Sequence, residues 1–389
     1  MQPSKKIDVL ISGASIAGLT TAYWLIKYGF NVTVVERASH IRAGGQALDV
    51  RGPALEVAEK MGILNALKTN STKLTGMSMV DAATGEETYR NTEQTLTGGR
   101  LDSNDVEILR DDLCQILLDG VGNNARFLFN NSIVSIDQDS LGSNVVFTNA
   151  PQQRFYLVIG ADGLRSNVRK LVFGKDKEFV KYLGHYVAIF TMPNFLGLDR
   201  WEVFYQHEGI PIAACIAKEK ENDIRAYLGF ETPEAINYDY RSTIAQKDLV
   251  AERTPQVGNV LPQIVRYMYE ADNFYFDSVN QVIMDSWSKG LVTLVGDAGY
   301  SVSVSLGQGT TVAMVGGYVL ASELAAQAND ISKALQCYEE LLRDYVINNQ
   351  KLAYESRSEP AVEGYDSTDV RDLGQSVVPF TFKKYTEIV

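Results

Sequence analysis

The sequence predicts a mixed α/β (α+β) fold. A Rossmann-type β-α-β unit opens the chain, a mostly antiparallel sheet is inserted into it, and helices close the C-terminal end. Three observations predict this. Two short, β-rich apolar runs flank one helical stretch within residues 7–36. Residues 180–287 break into strand-like runs separated by Gly, Pro, Asn and Asp, the pattern of an antiparallel sheet. Residues 308–328 and 331–353 carry long helical periodicity.

Taken in order, residues 7–12 (Ile-Asp-Val-Leu-Ile-Ser) read as a buried strand ending at glycine. Residues 16–28 have helical spacing and stop at Gly29, a plausible C′ position. Residues 31–36 form a second buried strand. Two strands around one crossover helix pair in parallel with a right-handed crossover. Residues 53–67 and 110–121 read as helices, 125–149 as alternating strands, and 155–159 as a buried run entering the Gly160-Ala161-Asp162-Gly163 loop. Strands are expected at 185–192, 201–206, 210–217, 224–230 and 274–284, and a buried parallel-type strand at 291–295. The last stretch, 357–389, has weak periodicity and reads as a short helix or a tail. The expected division is a discontinuous cofactor domain (1–75, 100–178, 288–330), a substrate domain (76–99, 179–287) and a C-terminal helical segment (331–389) placed as a substrate-side lid.

Composition narrows the function. With 45% hydrophobic and 22% charged residues the chain is ordinary globular protein. A net charge of −12 argues against nucleic-acid binding, which needs a basic surface. Three scattered cysteines (Cys114, Cys215, Cys337) make no disulfide framework and suit a reducing cytoplasm. Three histidines (His40, His185, His207) without metal-ligand spacing argue against zinc or iron. The longest apolar tract, 310–326, contains Gly316, Gly317, Ser322 and Glu323, too short and polar to span a bilayer. The expectation is a cytoplasmic monomer that acts on a small molecule. No GxSxG elbow supports a serine hydrolase.

The first motif is Gly13-Ala14-Ser15-Ile16-Ala17-Gly18, between a strand and a helix. In such a fingerprint the first glycine makes the turn, the second position lets a pyrophosphate approach the backbone, and the third lets helix and strand pack. Ser15 is a small but imperfect second position. Glu36, eighteen residues past Gly18, is placed to accept from a ribose hydroxyl and disfavours a 2′-phosphate. Far downstream, Gly296-Asp297-Ala298 follows a strand, and Gly307-Gln308-Gly309 opens a long helix. A second glycine-rich helix start so distant suits the longer FAD molecule better than NAD, with Asp297 toward a polyol hydroxyl.

These motifs, with Glu36-Arg37, the Arg110 helix (Arg-Asp-Asp-Leu-Cys-Gln-Ile-Leu) and the 161–169 segment, occur in an order and spacing that resembles the class A flavoprotein monooxygenases, the aromatic-hydroxylase family. Within that family the chain is most similar to the tetracycline destructases, on the 42–52 segment (Arg42-Ala43-Gly44-Gly45-Gln46-Ala47-Leu48-Asp49-Val50-Arg51-Gly52), the inserted sheet and the helical C-terminus. The family usually has His and Pro where this chain has Tyr300 and Val304. The chain also lacks a second dinucleotide fold, the FxGxxxHxxxW pattern of Baeyer–Villiger enzymes and the WxWxIP segment of halogenases.

The resemblance implies tightly bound FAD, NADPH as a transient reductant, molecular oxygen as co-substrate, and a C4a-hydroperoxide as oxygen donor to a polycyclic or aromatic substrate. It implies that Glu36 holds the adenosine ribose and that Arg37 and Arg110 line the FAD channel. Asp162 falls near the pyrophosphate and the NADPH path, Arg42 and Asp49 near the flavin, Asp297 at the ribityl chain, and Gly307 to Gly309 at the isoalloxazine. The candidate cofactor-binding set is Gly13, Ser15, Ala17, Gly18, Glu36, Arg37, Arg42, Gly45, Gln46, Asp49, Arg110, Asp162, Asp297, Gly307, Gln308 and Gly309, with no metal ligand and no catalytic side chain, because the flavin carries the chemistry. The reading is a tetracycline-inactivating monooxygenase. A hydroxylase of another aromatic or polyketide metabolite and a non-catalytic flavin redox sensor stand as alternatives. Of the aromatics between 186 and 205 (Tyr186, Phe190, Phe195, Trp201, Phe204, Tyr205), most are expected in the core and a minority against the substrate.

Overall fold

The structure is a computed structural model, and it describes residues 7–95, 99–239, 241–303, 307–355 and 377–385. One six-stranded sheet is built from β1 (Asp8–Ser12), β2 (Asn31–Val35), β3 (Arg126–Leu128), β4 (Leu157–Gly160), β5 (Ser288–Lys289) and β6 (Val292–Leu294), in the order β5-β6-β4-β1-β2-β3. All its pairings are parallel except β5 with β6. Burial on both faces explains the continuous apolar runs of β1, β2 and β4: Val9, Leu10, Ile11, Val34, Leu157, Val158 and Ile159 are fully buried.

Helix α1 (Ile16–Lys27) makes the crossover from β1 to β2. Gly29 stops it as expected, with the Gly29 N–H donating to Ile26 O and the Phe30 N–H to Leu25 O, both at 2.9 Å. Helix α2 (Arg110–Val121) packs beside α1. Helix α3 (Gly309–Ala326) is buried around its whole circumference, because it runs through the core between α1 and helix α4 (Ile331–Glu355). Close approach to α1 is bought by Gly317, where a Cβ would stand 2.9 Å from Thr21 Oγ1 and 3.1 Å from Thr21 N.

The second sheet has seven strands, in the order Phe274–Val282, Val180–Pro193, Asp223–Glu231, Ile210–Ala217, Trp201–His207, Met77–Asp81, Glu87–Asn91. It is antiparallel except where Trp201–His207 meets Met77–Asp81. One of its faces packs on two helices, Thr243–Arg253 and Leu261–Glu270. The sequence reading assigned neither helix and gave the whole 180–287 stretch to sheet. The expected helix 53–67 is two helices, Pro53–Met61 and Leu64–Thr69, broken at Gly62. The buried run 155–159 also divides, since Phe155 ends a hairpin strand (Gln153–Phe155) and only β4 joins the parallel sheet. Residues 377–385 form no helix or strand, with Val378, Phe380, Phe382 and Tyr385 against the main core; the rest of 357–389, like Val304, falls outside the described residues.

Candidate functional site

The cleft begins where β1 turns into α1. Gly13 has φ +108°, and a Cβ there would stand 2.4 Å from Ala161 O, so only glycine fits this turn against the end of β4. At Gly18 a Cβ would stand 2.0 Å from Gly13 O. Helix α1 starts without a side-chain cap, which leaves the positive end of its dipole aimed at the cleft. Ser15 is turned instead to α2: its Oγ accepts from Arg110 Nη2 at 3.0 Å and lies 3.7 Å from Cys114 Sγ. The imperfect second fingerprint position therefore fixes an arginine.

Glu36 stands just beyond β2. Its Oε2 accepts the Ala14 N–H and its Oε1 the Ala38 N–H, each at 2.9 Å. A carboxylate so held is oriented and keeps lone pairs for a hydroxyl donor. Arg37, beside it, is exposed. Arg110 also donates through Nη1 to Arg42 O at 3.3 Å, and its stem packs on Gly45, where a Cβ would stand 2.9 Å from Arg110 Cδ. The Arg42 guanidinium lies 5.2 Å from the Tyr275 ring centre. Burial, and then the charge of Arg110, lower its pKa.

Asp49 lies beside Gly307, on the strand Ala47–Val50. It is 3% exposed and pairs at 2.9 Å with the fully buried Arg51. Burial pushes its carboxyl up to about 6 against the pull of Arg51. Its Oδ1 has no hydrogen-bond partner among the described residues. Gly307 presses on it, since a Cβ there would stand 2.3 Å from Asp49 Oδ2. Gln308 is buried, and Gly309 opens α3 without a side-chain cap. The other downstream turn meets the fingerprint directly: a Cβ on Gly296 would stand 2.8 Å from Ala17 Cβ. Asp297, next to it, is exposed, yet the protein packed around it raises its pKa, while a hydrogen bond from Ser301 lowers it. Fold closure thus brings the Gly296 turn, some 280 residues downstream, against the fingerprint helix at Ala17, and Gly307 against Asp49.

Asp162 adjoins the fingerprint turn, its Cα 3.0 Å from where a Cβ on Gly13 would stand. Its carboxylate accepts from Ser12 Oγ (3.3 Å), from Ser166 Oγ, and from the N–H groups of Asn167 (2.9 Å) and Val168 (3.1 Å). It ties the end of β1 to the short helix Asn167–Val172, and burial is the largest influence raising its pKa. Tyr300 points away from the cleft: fully buried, it is hydrogen-bonded to Tyr338 at 2.8 Å, and Tyr338 donates to Leu294 O at 2.9 Å. The three histidines take no part in the cleft or the cavity beside it; His40 contacts Ser39 and His185 faces Glu231 at 3.6 Å.

Beyond Asp49 opens a cavity of about 290 Å³, at the lower end of small-molecule sites. One face of the seven-stranded sheet walls it, in steps of two residues: Val187 and Ile189, Glu202 and Phe204, Ile212, Ala214 and Ile216, Tyr227 and Gly229. Gln46, Ala47, Asp49 and Gly307 close the side toward the cleft. Of the aromatics between 186 and 205, Phe204 lines the cavity, while Tyr186, Phe190 and Tyr205 belong to the core. Sequence reasoning missed Tyr227, Tyr275 and Glu202. The period-two alternation of 223–231 held the signal for Tyr227, but it could not say which face met a cavity until the helices on the other face were known.

The donor set suits FAD. The glycine cradle at Gly13, the uncapped α1, the pre-oriented Glu36 and the orphaned Asp49 Oδ1 offer partners for phosphate, ribose and a hydrogen-bonding ring edge. Among the described residues no group of His, Cys, Asp and Glu is arranged to hold a metal, and no helix is long and apolar enough to cross a membrane. Comparison with known proteins agrees. The model of the "FAD binding domain" family matches residues 6–348. The chain is 45% identical over 344 residues to an uncharacterized protein of Mycobacterium tuberculosis (strain CDC 1551 / Oshkosh), covering 88% of this chain and 92% of that one. It is 37% identical over 349 residues to a flavin-dependent monooxygenase of Legionella longbeachae serogroup 1, covering 90% and 88%. Among solved structures, tetracycline destructase Tet(51) superposes with a TM-score of 0.85 at 32% identity, covering 95% of each chain. A family model spanning residues 6–348 and a relative 37% identical over nine-tenths of the chain place it in the FAD-binding-domain family, among the flavin-dependent monooxygenases.

Proposed function

We propose that the protein is an NADPH-using monooxygenase that inactivates tetracyclines, or close polycyclic relatives of them, by adding oxygen. The observation that carries this reading is the placement of the cavity. Its flat apolar wall, with Phe204, Ile212 and Ile216, ends directly on the Asp49 and Gly307 edge of the cofactor cleft. The 0.85 superposition on a tetracycline destructase supports the substrate class.

When bound, FAD supplies the redox chemistry, taking reducing equivalents from NADPH and activating oxygen. The chain's own residues do the rest. In this reading the Gly13 turn and the α1 N-terminus hold the pyrophosphate, Glu36 accepts from the ribose, and Asp297 meets the polyol. Arg110, locked between Ser15 and Arg42 O, borders the channel. Asp49, kept largely protonated below about pH 6, can there donate a hydrogen bond, and ionised above it accepts one. The apolar wall excludes water from the reacting carbon. Residues 1–75, 100–178 and 288–330 would serve the cofactor, and 76–99 with 179–287 the substrate.

The test is NADPH consumption by the FAD-loaded protein with and without tetracycline, followed by mass spectrometry of the drug. Stimulated consumption with a product heavier by one oxygen, or a fragment of it, supports the proposal. Tetracycline recovered unchanged, by a preparation that oxygenates another aromatic, overturns the substrate and keeps the chemistry. Slow NADPH oxidation that no substrate accelerates, with no oxygenated product, removes both.

A further inference from the structure

We infer that Arg225 and Tyr227 are positioning residues of the reaction: the strand that walls the substrate cavity grips both ends of the 44–47 segment that borders the flavin cleft. The inference rests on reading that cleft as the FAD site, and goes beyond it by assigning two substrate-sheet residues to the cofactor.

Both residues lie on Asp223–Glu231. Arg225 is 9% exposed; its Nη2 donates to Asp111 Oδ2 at 2.8 Å, and the same oxygen accepts the Gly44 N–H at 2.9 Å. Its Nη1 donates to Thr191 Oγ1 at 2.7 Å, so the guanidinium is held on both sides. Two residues along the strand, Tyr227 Oη accepts the Ala47 N–H at 2.7 Å. Period-two spacing places both side chains on one sheet face, and the two grips fall three residues apart on the segment. Between them Gly45 rests on the stem of Arg110, whose guanidinium reaches Ser15 of the fingerprint.

The first turn of α2 is therefore a junction. Arg110 serves the fingerprint, Asp111 serves Arg225 and Gly44, and Asp112 takes Lys218, just past the strand Ile210–Ala217, at 2.7 Å. Tyr227 also lines the cavity, and burial, with the nearby Glu107 and Glu202, raises its pKa, which keeps it a neutral phenol. A neutral phenol that accepts from Ala47 retains its own proton for a second partner. A ligand in the cavity lies against the side chain that holds the cofactor segment, so occupancy of one site bears on the geometry of the other. Small displacements at such a junction matter because positioned groups lose efficiency within about 1 Å.

The test uses the full chain and FAD as the probe. Tyr227→Phe removes only the hydroxyl that accepts from Ala47. Arg225→Gln removes the Asp111 partner, and Arg225→Lys keeps a cation there. FAD affinity is measured by fluorescence quenching, the flavin environment by its visible spectrum, and the segment by hydrogen exchange of peptides covering 42–50. The expected result for Tyr227→Phe is roughly fivefold weaker FAD binding, as for loss of one hydrogen bond. Shifted flavin bands and faster exchange confined to 42–50 go with it, with at most a small drop in the melting temperature of the FAD-free protein. Arg225→Lys recovers part of what Arg225→Gln loses. Unchanged affinity and spectrum in Tyr227→Phe overturn the inference, whatever Arg225→Gln does to folding. So does faster exchange at 42–50 with unaltered FAD binding, which would show a grip that does not serve the cofactor. None of these readings depends on whether tetracycline is the substrate.

Discussion

Tyr300, where the family resemblance leads us to expect histidine, gives a sharp test of packing beneath the cleft. Its hydroxyl points at Gly316 in the middle of α3: a Cβ on Gly316 would stand 2.1 Å from Tyr300 Oη and 3.2 Å from Cζ. Gly316→Ala thus overpacks a fully buried contact, at a cost of ~2–3 kcal/mol, while the helix gains up to about 1 kcal/mol from replacing a glycine. The net expectation is a loss of about 1–2 kcal/mol. Tyr300→Phe removes the 2.8 Å bond to Tyr338, which keeps Leu294 O as acceptor, and costs about 1 kcal/mol. With the hydroxyl gone, the nearest ring atom to the new methyl is Cζ, a contact that a shift of a few tenths of an ångström relieves. The double variant should therefore be no less stable than Tyr300→Phe alone, a coupling of about 1–2 kcal/mol. Urea unfolding of the four proteins, FAD-free and FAD-loaded, measures this. Gly316→Ala as stable as the parent, or a double variant whose loss equals the sum of the singles, would refute the argument.

Further expectations follow from the cleft and the C-terminal strap. Asp49 has its folded value raised to about 6 from 3.8. Between those values the folded state holds a proton the unfolded chain has lost, so this group's contribution to stability falls as pH rises from about 4 to 6 and is flat above. Melting temperatures of Asp49→Asn across that window should lack the decline that the parent shows, and parallel curves would show the group is not responsible. Glu36→Ala frees the Ala14 and Ala38 amides and should weaken FAD binding roughly 30-fold, about 2 kcal/mol; an affinity within twofold of the parent would remove Glu36 from the site. Deleting 377–389 strips Lys383 (2.7 Å) and Tyr385 (3.0 Å) from the fully buried Glu323, together with the rings of Phe380 and Phe382. The loss should reach ~3–5 kcal/mol by chemical denaturation, and an unchanged midpoint would mean the strap contributes nothing.

The sequence by itself determined the β-α-β unit, since strand, fingerprint, crossover helix and Glu36 are neighbours in the chain and their periodicities are local. It also showed a second glycine-rich helix start, at Gly307-Gln308-Gly309 after Gly296-Asp297, which suits a cofactor longer than a nicotinamide dinucleotide. The tertiary structure decided what those residues do. Ser15 serves Arg110 rather than a helix cap, and Asp162 spends its carboxylate on a short helix. Tyr300 turns into the core because Gly316, sixteen residues on, leaves room for its hydroxyl. The cavity was hidden for a related reason. A sheet buried on both faces shows apolar residues at every position, and alternation cannot tell which face meets a helix and which an open space. Only the docking of Thr243–Arg253 and Leu261–Glu270 on one face left Phe204, Tyr227 and Ile216 facing the other. Pairings such as Arg225 with Asp111 span more than a hundred residues, and long-range contacts of that kind are fixed by chain closure, where no local pattern reports them.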